Sequence, residues 1–225
     1  MAYILSIETS TTNCSVSLSK NGETLLLKEN YGNGYSHAER LHLYIEEVLE
    51  QASIGKSELN AIAVGKGPGS YTGLRIGVSA AKGLCYALNI PLISISTLES
   101  LAHQVKIDSG LIVPMLDARR MEVYSAVYSF ELKEKREVKA QVLDQNSFLN
   151  ELQNQKVVFI GNGVEKMKTL LKSKNAIFID DKLPSANQMS SLAYKKFASK
   201  MFEDVAYFEP YYLKDFVAIK PKPKV

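Results

Sequence analysis

The sequence predicts an α/β protein in which one unit, strand–strand–strand–helix–strand–helix, occurs twice. Three observations carry that expectation. Residues 3–29 read as three consecutive strands joined by tight turns. Residues 61–77 pass from an apolar strand through a glycine-rich turn into a helix. After Asp108-Ser109-Gly110 the order of elements starts again, without an obvious sequence repeat.

Residues 3–8 form a short apolar strand. Over 14–19, Cys14, Val16 and Leu18 alternate with serines, the period-two pattern of a half-buried strand. Asn21-Gly22 is a strong hairpin signal because both residues accept positive φ, and 23–29 is the returning strand. Ser36 and Glu39 have capping-box spacing and open a helix running to about Ala52. That helix carries Leu41, Ile45, Val48 and Ala52 on one stripe, with Tyr44 beside it. A central strand from Ala61, a helix over about 72–88, a strand at 91–95 and a helix near 98–105 complete the first half. In the second half, strands are expected at 111–117, 121–131 and 137–143. A helix at 147–152, a strand at 157–160, a helix to about Leu171, a strand at 176–179 and a final helix at 189–201 follow. The organisation is an N-terminal lobe at 1–106, a C-terminal lobe at 107–186, and a last part at 187–225. The helix of that last part is placed to pack back on the first lobe.

Composition narrows the function. A formal net charge of +3 over 225 residues is too mild to mark a nucleic-acid binder by itself. Two cysteines imply neither a disulfide framework nor a zinc cluster. No apolar run approaches the roughly 18 residues of a membrane span, and Met1-Ala2-Tyr3-Ile4 enters a strand without a basic leader. A cytoplasmic protein with no membrane contact is expected.

The central turn packs Gly65, Gly67, Pro68, Gly69 and Gly73 closely together. Pro68 pushes Gly67 out of the helical region, and a glycine-rich turn before a helix gathers backbone N–H groups where an anion can sit. Tight packing is the commoner use of such a turn. It is not a P-loop, because Thr72-Gly73-Leu74-Arg75 stands where Gly-Lys-Ser/Thr is needed, and it only approaches the dinucleotide pattern. In the helix that follows, Arg75 and Lys82 are the only charges between Tyr71 and Leu88. Leu74, Val78, Ala81, Cys85 and Leu88 form one stripe, and Ile76, Ala80, Gly83, Leu84 and Ala87 another. A helix apolar most of the way round is buried most of the way round, by the core on one face and by a partner on the other. The candidate partner interface is Leu41, Tyr44, Ile45, Val48, Ala80, Gly83, Leu84 and Ala87, completing a four-helix bundle.

The duplicated order resembles the actin/Hsp70/sugar-kinase (ASKHA) superfamily, whose lobes hold Mg-nucleotide between two acidic loops. By that resemblance Glu8 in I-E-T-S-T and Asp117 in L-D-A-R-R are the counterparts. The candidate vestigial nucleotide or anion site is Glu8, Thr9, Ser10, Gly67, Gly69, Ser70, Asp117 and Arg119. The strings G-P-G-S-Y-T-G-L-R, S-H-A-E-R-L, S-T-L-E-S-L-A and D-A-R-R-x-E-V-Y resemble the bacterial TsaB (YeaZ) family more narrowly. This resemblance implies a non-catalytic scaffold that dimerises with TsaD, works with the ATPase TsaE, and meets tRNA through the complex. TsaD would use threonylcarbamoyl-adenylate to modify adenosine 37 of ANN-decoding tRNAs. In isolation the chain is either a monomer or a pair of copies that stands in for the heterodimer. Met121 stands where the family commonly has glycine, beside Arg119 and Arg120, so weak ATP binding at most and no other cofactor are expected. The competing class is an ATP-dependent phosphotransferase or ATPase acting alone through Glu8 and Asp117.

TsaD-type enzymes hold a metal through H-x-x-x-H on a helix. Here His37 and His42 are five apart and diverge by about 140° at roughly 100° per residue, so no metal site and no catalytic residue is assigned. The tail Phe216–Val225, ending Ile219-Lys220-Pro221-Lys222-Pro223-Lys224-Val225, reads as a solvated terminus, or as an arm that reaches tRNA phosphate within a complex.

Overall fold

The computed structural model describes residues 1–31, 34 and 36–214. The first sheet holds β1 (Tyr3–Glu8), β2 (Cys14–Lys20), β3 (Glu23–Asn30), β4 (Leu59–Gly67) and β5 (Leu92–Ser96), in the order β3-β2-β1-β4-β5. The second holds β6 (Leu111–Asp117), β7 (Glu122–Ser129), β8 (Glu134–Val142), β9 (Val157–Ile160) and β10 (Ala176–Ile179), in the order β8-β7-β6-β9-β10. In each sheet the first three strands are an antiparallel meander and the last two join in parallel. Both sheets therefore follow the order third-second-first-fourth-fifth. This is the duplicated α/β fold expected of the actin-like superfamily.

Local sequence explains the first meander. Asn21 and Gly22 take φ of 51° and 89°, and Lys20 pairs with Glu23 across them, a two-residue turn matched to strand twist. β2 departs from its expected half-burial: both faces are covered. Cys14, Val16 and Leu18 enter the core under α1 (His37–Ala52) and α2 (Tyr71–Leu88). On the opposite face Ser17 Oγ donates to Ala186 O at 2.8 Å, at the start of α6 (Ala186–Ala198). Ser15 Oγ accepts from Ala186 N–H at 2.9 Å. The alternation thus separates an apolar layer from a hydrogen-bonded one, not a buried face from a wet one.

α6 lies on the face of the first sheet opposite α1 and α2, with Met189, Leu192 and Ala193 against Ile4, Ala61, Ala63, Ile93 and Ile95. Ser185 caps it by accepting the Asn187 N–H at 3.2 Å. That start lies three residues before the one read from the sequence. α3 (Thr97–Ala102) sits at the junction: Leu98, Leu101 and Ala102 pack on Ile112, Leu116, Val158 and Ile160 of the second sheet. α4 (Leu149–Leu152) and α5 (Val164–Leu170) border the other core, around Val113, Met115 and Phe159.

Two expectations about α1 are corrected. The capping box at Ser36 does not form: the Ser36 hydroxyl accepts from Asn30 Nδ2 at 3.5 Å, leaving its own carbonyl to take the N–H groups of Glu39 and Arg40. Leu41, Ile45 and Val48 are not partner surface, because they are at most 3% exposed inside this chain's own core. One apolar stripe on α1 was enough for the sheet below it, and it is used up there. The basic tail beyond Lys214 lies outside the described residues.

Candidate functional site

The glycine turn resolves into close packing between two loops. β4 continues through Gly67, which pairs with Ser96 of β5, so the first glycines are strand residues. Any side chain at Gly65 would meet the Glu8 carboxylate, at Gly69 the Ser10 backbone, and at Gly73 the carbonyl of Thr9. The loop after β1 therefore lies directly on the start of α2. Ser70 N–H donates to Ser10 O at 2.6 Å, and Thr9 Oγ1 donates to Gly73 O at 2.8 Å. Ser70 Oγ caps the helix by accepting the Gly73 N–H at 3.2 Å. Gly69 and Gly73 are there because two backbones touch, and Gly65 because a buried carboxylate lies against it, which agrees with the packing use of the turn.

Glu8 is fully buried, and burial raises its carboxyl above the ordinary carboxylate range, partly offset by hydrogen bonds such as the Ser10 N–H at 2.7 Å. Thr97 Oγ1 also donates to it, at 3.5 Å. His37, buried at the first turn of α1, donates from Nε2 to Thr11 O at 2.7 Å, and burial lowers its pKa. It holds the loop after β1 from the other side. His42 is exposed, so the two histidines of α1 face different surroundings.

The second acidic loop is stapled to itself. Asp117 accepts the Arg119 N–H at 2.7 Å through one oxygen and pairs with Lys166 at 3.0 Å through the other. Arg119 and Arg120 both adopt left-handed backbone, φ 69° and 47°, the conformation that favours glycine. Their side chains stand on the rim of a cleft between the lobes with a cavity of about 760 Å³. Ser10, Gly69, Ser70, Asp117 and Arg119 line that cleft, as does Arg120, whereas Glu8, Thr9 and Gly67 lie behind it. The sequence-predicted anion set is thus split into a lining group and a buried supporting group.

α2 is the other candidate surface. Leu74, Val78, Ala81 and Cys85 enter the core. Ile76, Ala80, Leu84 and Leu88 are half-buried beside it. Thr72, Ser79, Gly83, Tyr86 and Ala87 are exposed, with Tyr86 at 86%. Its two cations are drawn aside. Lys82 Nζ donates to the carbonyls of Ala206 and Phe208 at 3.1 and 3.0 Å, and Arg75 Nε donates to the Tyr212 hydroxyl at 3.3 Å. The outward face of α2 around Gly83 and Ala87 carries no charge of its own, and the exposed Arg75 stands at its edge. By contrast the outward face of α1 carries Glu39, Arg40, His42, Glu46 and Glu50 around the exposed Leu43. Of the predicted interface residues, Gly83 and Ala87 are exposed on α2, and Ala80, Leu84 and, on α1, Tyr44 are partly so.

Sequence reading missed the segment at 203–214, which supplies Tyr211, Tyr212, Leu213 and Lys214 to the cleft wall. Its signal was present in Tyr207, Phe208, Tyr211 and Tyr212, more aromatic surface than a solvated terminus carries.

A family model described as TsaD, tRNA N6-adenosine threonylcarbamoyltransferase, matches residues 33–222. The tRNA threonylcarbamoyladenosine biosynthesis protein TsaB of Haemophilus influenzae is 32% identical, with 98% of this chain and 97% of that protein covered. The TsaB of Escherichia coli is 31% identical, with 98% of each covered. The solved structure of YeaZ from Pseudomonas aeruginosa superposes with a TM-score of 0.82 at 28% identity, over 95% of this chain and all of that one. With the family model, the full-length identities and the superposed fold in agreement, the chain belongs to the TsaB (YeaZ) family of tRNA threonylcarbamoyladenosine biosynthesis proteins.

Proposed function

We propose that this chain is the non-catalytic subunit that dimerises with a TsaD-type threonylcarbamoyltransferase in the cytoplasm. In this reading it supports transfer to adenosine 37 of ANN-decoding tRNAs, with a TsaE-type ATPase and tRNA meeting it through the complex. The observation that carries the reading is the outward face of α2, where Gly83 and Ala87 are exposed, Lys82 is held by two carbonyls, and Arg75 stands at the edge bonded to Tyr212. Such a face admits another helix at close range. The acidic ridge of α1 (Glu39, Glu46, Glu50) favours a partner carrying basic residues beside its own apolar helix. Without that partner, two copies of the chain pair through the same face.

Size-exclusion chromatography and calorimetry with the TsaD-type enzyme test this. Gly83→Arg and Ala87→Arg each place an unpaired charge in the seam, a cost of about 3–5 kcal/mol if fully buried, so affinity is expected to fall by at least about tenfold. Circular dichroism confirms that each variant is folded. Unchanged affinity in folded variants would place the interface elsewhere.

The cleft is proposed to bind Mg-ATP weakly and without turnover, with no other cofactor. Supporting this, Glu8 is sealed behind the cleft and both Asp117 oxygens are already engaged. Calorimetry with Mg-ATP and a phosphate-release assay are expected to show weak binding and no release. Sub-micromolar binding, or turnover lost in Asp117→Ala, would establish the phosphotransferase or ATPase reading instead.

A further inference from the structure

After α6 the chain turns round the edge of the first sheet, from the α6 side to the α2 side, and by Lys214 reaches the second lobe. Its near half is firmly held. Glu203 N–H donates to Leu92 O of the edge strand β5 at 2.9 Å, and the Glu203 carboxylate accepts from Ser94 Oγ. Val205 and Phe208 pack against the core beneath α2, and Lys82 ties down two carbonyls of the same stretch. Main-chain pairing, apolar burial and a doubly engaged ammonium make this half part of the lobe.

The far half is held differently. Tyr211 N–H donates to Lys66 O at 2.7 Å, the Tyr212 ring meets that of Tyr71 at 5.0 Å, and the Arg75 guanidinium lies 4.3 Å over Tyr71. Lys214 then crosses to the second lobe, where its ammonium pairs with Glu122 and stands 6.0 Å from the Tyr124 ring centroid. Exposed ion pairs contribute little in water and are screened by salt. The segment is thus graded, firm where it leaves the sheet edge and weak where it reaches the other lobe. Its weak end joins α2 of the first lobe to β7 of the second and forms part of the cleft wall.

We propose that residues 203–214 are a latch: the far half clamps the two lobes together across the cleft, and its release opens the cleft while the near half stays in place. Release would also free Arg75 from Tyr212, returning a mobile charge to the edge of the α2 face, so the state of the cleft and the charge of that face change together. The latch is built from contacts within this chain alone, whichever partner docks on α2.

The chain contains no tryptophan, so Tyr212→Trp and Phe208→Trp each place a single fluorophore in the far or near half. In the full-length protein, Lys214→Ala is expected to raise acrylamide quenching of the indole at 212 by roughly twofold or more, as local opening requires. The indole at 208 is expected to stay unchanged, and Lys214→Arg to keep both signals at the parent value. Spin labels on cysteines at the exposed Ser79 and Lys139 report the separation of the lobes. Lys214→Ala is expected to lengthen and broaden that distance distribution, and Lys214→Arg to preserve it. Quenching unchanged at 212, simultaneous release at 208, or release at 212 with an unaltered inter-lobe distance would each overturn the latch.

Discussion

At the scale of the residue, Glu8 shows how a motif read as ligand-binding can serve as internal support. The carboxyl sits at the end of β1, under Gly65, and accepts from the Ser10 backbone and the Thr97 hydroxyl. Burial raises its pKa above 4.5, so the folded chain keeps this proton at a pH where the unfolded chain has released it. Unfolding then releases a proton, and this group's contribution falls as pH rises from about 4.5 toward the raised folded value. Glu8→Gln keeps the acceptor for Ser10 and removes the titration. Its stability relative to the parent is expected to improve steadily as pH rises through that window, read by urea denaturation at several pH values. A difference that is flat with pH would show that Glu8 does not titrate on unfolding. His37, whose pKa burial lowers, acts with the opposite sign, losing stability as pH falls through about 6.5; comparing variant with parent cancels it.

At the scale of the element, α2 contains glycines with two different reasons to be glycine. A Cβ at Gly73 would collide with the carbonyl of Thr9, which is backbone and cannot yield, whereas a Cβ at Gly83 meets nothing within 4 Å. Gly73→Ala is expected to cost about 1–3 kcal/mol through overpacking. Gly83→Ala should stabilise the free chain by up to about 1 kcal/mol through helix propensity. Thermal or urea unfolding of the two variants checks opposite signs within one helix. The contrast between α1 and α2 follows the same logic. α1 has one apolar stripe and buries it on the sheet, so its outer face is charged, while the second stripe of α2 reaches the surface. Both patterns are periodic in the sequence. Which stripe meets the sheet depends on where each helix sits.

At the scale of the whole molecule, the first lobe is not built from the first half of the chain alone. Its sheet is covered on one side by α1 and α2 and on the other by α6, which arrives only after the second sheet is complete. Cutting the chain at residue 106 would expose Ile4, Ala61, Ile93 and Ile95 and leave the Ser15 and Ser17 hydroxyls without their α6 partners. Burying a large side chain contributes about 1.5–3 kcal/mol, so losing a whole layer exceeds the stability of an ordinary domain. Fragment 1–106 is expected to show no cooperative urea transition and to bind a hydrophobic dye. A sharp transition in that fragment would show that α6 is dispensable.

The sequence by itself determined what depends on neighbours along the chain. Strand alternation, the Asn21-Gly22 turn and the repeated order of elements gave the duplicated fold, because backbone preferences and period-two or 3.6-residue patterns act locally. The G-P-G-S-Y-T-G-L-R string likewise marked the family, its glycines recording contacts with backbone that has no side chain to announce them. Tertiary structure decided the rest: that the serine face of β2 is buried, that Leu41, Ile45 and Val48 belong to the core, and that Glu8 lies behind the cleft instead of in it. It also decided that residues 203–214 cross from one lobe to the other. Those outcomes turn on which distant segment covers a given face, and α6 and the segment after it reach β2, β5, α2 and Glu122 across more than 90 positions of chain. Periodicity says that a face is apolar or polar; only the arrangement in space says what lies against it.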